Sequence, residues 1–226
     1  MKTKFLIDAK VEAENIPHLM RLSGRRVLFP AFAKRIINKK GDELYKEVVK
    51  IHEEYKEEIK KLKENSEKNW KKIEKDYFKE MEKITGYRLK KDKCCYFAPT
   101  IIGVADVRGR KNVFIGLVPN ESFLNYEIFH ELTHLHYADI IERTRLYGAG
   151  QPPLIEIADH FLLFKSPINK LINSQMEYQN IKFTTRLNPE FMLELEEAWE
   201  KRENFESFIK EAIKIEKKFK KMKILQ

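Results

Sequence analysis

Cysteine is nearly absent from this chain: there are two, Cys94 and Cys95. They are adjacent, and neighbouring residues rarely meet the distance and torsion that a disulfide requires. The pair is therefore expected as free thiols, which fits a reducing, cytoplasmic setting. Beside Tyr96 and Phe97 they read as small buried apolar residues. Long apolar runs are missing as well. No stretch approaches the roughly 20 residues of a membrane span. The opening MKTKFLIDAKVEAEN holds no signal-peptide core. There is no Arg cluster, no patch mixing aromatic and basic residues and no nucleic-acid motif. No inter-domain linker or low-complexity tract interrupts the chain.

What is present is charge and enough apolar residue to build a core. Apolar residues make up 42% of the 226, which argues against global disorder. Charged residues make up 35% and the net charge is +9, against an ordinary charged share of about 25%. Most of the excess is Lys interleaved with Glu, which reads as a solvated surface rather than a polyanion-binding stripe. The Lys and Glu enrichment is also a composition seen in hyperthermophile proteins.

The residues predict an α+β chain that is mostly helical. Residues 4–37 carry short apolar runs, Phe5-Leu6-Ile7 and Val27-Leu28-Phe29, expected as one or two strands and a turn of helix. Asp42 opens a long helical segment closing near Thr85, with Gly86 as its C-terminal cap. Its apolar stripe is Leu44, Val48, Ile51, Tyr55, Ile59, Leu62, Ser66, Trp70, Ile73, Tyr77, Met81 and Ile84. The stripe repeats every 11 residues, about 3.67 per turn, which suits one nearly straight helix. A helical hairpin turning near Asn65–Asn69 is the second choice. The Ile- and Val-rich stretches Thr100–Val107 and Asn112–Val118 then predict a small antiparallel sheet or hairpin around Arg108-Gly109-Arg110-Lys111. Asn120 is placed to cap a helix from Glu121 to about Ile141. A further helix spans about Leu154–Lys165, Ser166-Pro167 caps a short one, and Asn188-Pro189-Glu190 starts a final region bent near Glu203-Asn204. Its end, Lys210–Lys223, is basic and amphipathic. Three regions result, 1–99, 100–165 and 166–226, expected to form one compact domain.

The chemistry lies on the helix after the hairpin. His130-Glu131-Leu132-Thr133-His134 reads HExxH. Residues four apart share one helix face, so both imidazoles can reach one ion. Glu131 is turned about 100° from His130. It is poorly placed to ligate the same ion but can reach a water beside it, which makes the histidines ligands and Glu131 a general base. Four of the six histidines lie between positions 130 and 160. Phe129, Leu132, Thr133 and Leu135 are uncharged, as a dry site requires.

These residues resemble the zincin metallopeptidases. The metzincin pattern HExxHxxGxxH is not met, because Tyr137 and Ile140 stand at its Gly and last His. The likeness is to the gluzincins, the thermolysin-like branch, over roughly residues 100–165. That resemblance implies a zincin-like core: an active-site helix followed by a glutamate helix, flanked here by long helices. It implies one zinc per chain, with Glu156 as third ligand, 21 residues beyond His134. It implies that Asp159 orients a ligand histidine, although the family spacing from the glutamate is four residues rather than three. It implies that Tyr147 stabilises the oxyanion, while no convincing second oxyanion donor stands out; His160 is the nearest. Glu127 and His136 also depart from the family pattern, which has Val or Thr and an apolar residue there. The implied activity is hydrolysis of a peptide or protein substrate docked as an added strand along Thr100–Val107 or Asn112–Val118.

Two alternatives carry weight. Glu127–His130 and Glu131–His134 are both ExxH pairs, the spacing of carboxylate-bridged di-metal helical proteins. A non-catalytic metal-containing binding protein is the other, with the long basic helices as its working surface.

Overall fold

The protein is represented by a computed structural model, which describes residues 2–89, 92–106, 112–117, 121–150, 152–172 and 187–219. It is mostly helical with one small sheet. Among the described residues the strands are β1 (Thr3–Leu6), β2 (Lys93–Phe97), β3 (Val104–Ala105) and β4 (Asn112–Ile115). The α-helices are α1 (Ala9–Ser23), α2 (Pro30–Ile36), α3 (Gly41–Glu54), α4 (Lys56–Thr85), α5 (Glu121–Thr144), α6 (Pro152–Phe164), α7 (Pro189–Glu200) and α8 (Phe205–Phe219). Short 3₁₀ turns fall at Gly24–Val27, Tyr147–Gly150 and Pro167–Lys170. Among the described residues no helix is long and apolar enough to cross a membrane.

The sheet keeps the expected antiparallel pairing of the two stretches and extends it on one side with two parallel strands, so it is mixed rather than wholly antiparallel. Its order is β1-β2-β4-β3. β1 pairs with β2 in parallel, β2 with β4 in parallel, and only β3 with β4 antiparallel. β2 was not anticipated. Its residues Lys-Cys-Cys-Tyr-Phe are almost all buried, so they lack the in–out alternation of a half-exposed strand, as expected for a parallel strand covered on both faces. The expected strand over Thr100–Val107 shrinks to Val104–Ala105, which forms one edge of the sheet. Before it, Leu28 bridges to Ile101 in antiparallel fashion, and Ile102 N–H donates to the Val27 carbonyl at 2.9 Å. The turn at 108–111, the cap Asn120 and the tail beyond Phe219 lie outside the described residues.

The N-terminal region is also more helical than expected. Asp8 caps α1, its Oδ1 accepting from Lys10 N–H at 3.0 Å and Val11 N–H at 3.1 Å. Pro30 starts α2 at a position where its missing N–H costs nothing. The predicted single helix is two, interrupted at Tyr55 (φ −114°, ψ 22°). No glycine or proline marks this break; the Tyr55 ring instead meets Phe32 edge-on at 5.2 Å, a tertiary contact invisible to periodicity. α4 runs unbroken through Asn65–Asn69, so the hairpin is excluded. The 11-residue stripe does face inward: Leu44, Val48, Ile51, Ile59, Ser66, Trp70, Tyr77 and Met81 are all buried. Gly86 caps α4 as expected, with φ +74° and its N–H donating to the Glu82 carbonyl at 2.8 Å.

The chain divides into two compact units, 1–74 with 90–135, and 75–89 with 136–226. The first contains the sheet. Trp70 of α4 meets Phe5 of β1 at 6.5 Å and Phe129 of α5 at 5.4 Å, both edge-on. A cluster including Ile16, Leu19, Leu28, Phe32, Val48, Ile101 and Phe114 ties α1, α2 and α3 to the strands. Each such side chain contributes about 1.5–3 kcal/mol relative to exposure. The second unit is built around Trp199, whose ring meets Phe161 and Phe208 at 5.2 and 5.0 Å. Its Nε1 donates to the Lys165 carbonyl at 3.1 Å. Asn188 caps α7 through Oδ1, and the expected bend near Glu203-Asn204 is the break between α7 and α8.

Candidate metal centre

The middle of α5 is buried round its circumference: Ile128, Phe129, Leu132, Thr133, Leu135 and Tyr137 are all in the interior. A helix surrounded in this way suits a water-excluding site. Thr133, a polar residue there, is satisfied by donating its hydroxyl to the Phe129 carbonyl at 2.8 Å. His136 has a different task. Its Nε2 lies 3.0 Å from the Tyr87 carbonyl and 3.3 Å from Thr85 Oγ1, at the capped end of α4. This buried polar residue therefore serves as a hydrogen-bonding partner of the chain that leaves α4.

The HExxH spacing places its residues as helix geometry predicts. The rings of His130 and His134 are 4.2 Å apart between centroids. Glu131 is 4% exposed; its Oε1 lies 4.0 Å from His130 Nε2 and its Oε2 3.6 Å from His134 Nδ1. Both separations exceed a hydrogen bond. Buried Glu131 Oε2 accepts no hydrogen bond among the described residues, a costly arrangement for a carboxylate oxygen and one that asks for a function. Tyr126 OH lies 3.4 Å from His130 Nδ1, with the rings 5.3 Å apart.

One ligand atom from each of His130, His134 and Glu156 lies within 4.8 Å of the others. This His/His/Glu group can hold a metal ion. Asp159 and His160 are buried on α6 beside Glu156 in sequence. The surroundings of His160, with Phe161 and Phe164 rings at 5.2 and 5.7 Å, disfavour its charged form and pull its pKa down from 6.5 to about 4, with Lys165 adding to the effect. Tyr147 stands in the 3₁₀ turn before α6 and is 66% exposed. Cys94 and Cys95 are free and buried. Burial, with the charge of Glu131 second, pushes the Cys95 thiol far up, so it stays protonated.

Sequence reasoning missed the backbone that faces Glu131. A Cβ built on Gly103 would come 1.9 Å from Glu127 Oε2 and 3.3 Å from Glu131 Oε1. The backbone of the residue before β3 is thus pressed against both carboxylates, with no room for a side chain. The available signal was an isolated glycine in a β-rich stretch, which marks close backbone approach. No family model, curated protein or solved structure matches this chain.

Proposed function

We propose that the protein is a zinc-dependent metallopeptidase of the gluzincin kind. The observation that carries this reading is the grouping of His130, His134 and Glu156 ligand atoms within 4.8 Å, beside the buried Glu131. His130, His134 and Glu156 together offer two imidazole nitrogens and a carboxylate oxygen, a donor set that zinc accepts. Two imidazoles and one carboxylate are the donor set of a catalytic rather than a structural zinc, which closes its shell with four protein ligands. Glu131 Oε2, which accepts no hydrogen bond among the described residues, fits the same reading, as an acceptor held ready for a proton.

The residues divide the work accordingly. Bound zinc would supply Lewis acidity and a lowered pKa for water. His130, His134 and Glu156 would hold it. Glu131 takes a proton from the attacking water and returns it to the leaving amine. The uncharged flanks of α5 exclude bulk water and strengthen each electrostatic contact. β3 offers the sheet edge nearest Glu131 in sequence and through Gly103, where an extended peptide can add as a strand. β4 lies inside the sheet and is not available for this. The di-metal alternative draws its ExxH pairs from different helices of a bundle; here both pairs share α5, beside a mixed sheet.

Glu131→Gln is expected to keep stoichiometric zinc while losing peptide hydrolysis by at least about a hundredfold, the usual size of a general-base contribution. Glu156→Ala is expected to lose the zinc as well. Metal analysis with a peptide-cleavage assay checks both. Wild-type turnover by Glu131→Gln would overturn the mechanism, and two iron or manganese ions per chain would favour the di-metal alternative.

A further inference from the structure

Glu12 on α1 is a carboxylate with 1% exposure that the mechanism above leaves unused. Its Oε1 accepts from Thr100 N–H at 2.9 Å and from the Thr100 hydroxyl. Its Oε2 lies 2.5 Å from His52 Nε2 of α3. One buried acidic group thus joins two helices to the residue that opens the 100–106 segment. One turn and a half further along α1, His18 Nε2 lies 3.7 Å from Asp106 Oδ1, at the other end of that segment. Between these two anchors lies Gly103, against Glu127 and Glu131. The Thr100 carbonyl accepts from Phe29 N–H at 2.8 Å and Ile102 N–H donates to Val27, so the segment is held from the side as well.

We propose that Glu12 is a positioning residue: through Thr100 it fixes the 100–106 segment so that edge strand β3 lies beside Glu131, and so sets how tightly an extended peptide docks. The inference rests on the peptidase reading. A carboxylate is well suited to the task because charge-assisted bonds are shorter and stronger than neutral ones. Burial makes them more so, and a buried charge cannot leave its partners without cost. Glu12 touches no reacting atom; it acts on docking, whereas Glu131 acts on the chemical step.

Three variants of the metal-loaded full chain test this. Thr100→Val keeps the volume and the backbone donor and removes only the hydroxyl donation. Glu12→Ala removes the acceptor altogether. Glu12→Gln retains an acceptor for Thr100 and is the conservative rescue. Thr100→Val is expected to speed amide exchange over 101–105 by about tenfold, the loss of one charge-assisted bond, and Glu12→Ala, which loses both bonds to Thr100 and the His52 contact, by more, with Cys94–Phe97 unchanged. KM for an extended peptide should rise by a similar factor of about ten while kcat stays within about twofold, as for lost uniform binding. Glu12→Gln, which keeps the acceptor but not the charge, should fall between wild type and Glu12→Ala in both. Exchange that quickens equally in β2, or nowhere, overturns the proposal. So does a fall in kcat at constant KM, or a Gln variant as impaired as the Ala variant. If metal-loaded wild type cleaves no peptide, the peptidase reading and the docking role fall together, while the exchange contrast still decides whether Glu12 holds the segment.

Discussion

A single imidazole shows how burial is converted into pH dependence. His160 titrates at about 4 in the folded chain against 6.5 ordinarily. Between those values the unfolded chain binds a proton that the folded chain refuses, so stability falls as pH drops from 6.5 towards 4 and levels off below. In protein stripped of metal with EDTA, the urea midpoint is expected to decline across that window. His160→Phe should flatten the decline, and equal slopes for the two proteins would remove the argument. Legibility at this scale followed the range of the interaction. His130, Glu131 and His134 were readable because their relation is one helical turn. Glu156 came through a family likeness. Glu12 gave no usable signal because its partner stands far off in sequence, Thr100 being 88 residues away; Gly103 offered only the weak mark of a lone glycine in a β-rich stretch.

At the scale of elements, the ends of helices matter more than their middles. Gly86 adopts φ +74° with open space where a Cβ would stand, so Gly86→Ala meets no clash and pays only the left-handed backbone strain. The expected loss is about 1 kcal/mol, read from urea unfolding. Because His136 reaches the Tyr87 carbonyl just past this cap, the perturbation lands two residues from His134. Most helices were visible in the sequence, since caps and periodicity are local: Gly86, Ser166 and Asn188 act as their residue types predict. The Tyr55 break was hidden because a ring contact with Phe32, not a breaker residue, accompanies it. β2 was hidden because a strand buried on both faces loses its period.

For the molecule as a whole, the parallel pairing of β1 with β2 sets an order of events. Thr3 pairs with Lys93, and the neighbouring Lys2–Asp92 hydrogen bond spans 90 residues. Helices close their bonds within a turn, but this ladder must first close a loop nearly as long as a small domain. β1 therefore waits for β2, some 90 residues later, to leave the ribosome, and refolding chains face the same delay. The metal binding proposed for His130 and His134 is expected at the late stage, since α5 rests through Phe129 on the Trp70 that also meets β1. In stopped-flow refolding, far-ultraviolet helical signal is expected to rise before zinc capture. Simultaneous phases would show that the histidines assemble without the sheet. An interval with helices formed and the ion still in solution is the kinetic counterpart of a first strand and its partner placed so far apart.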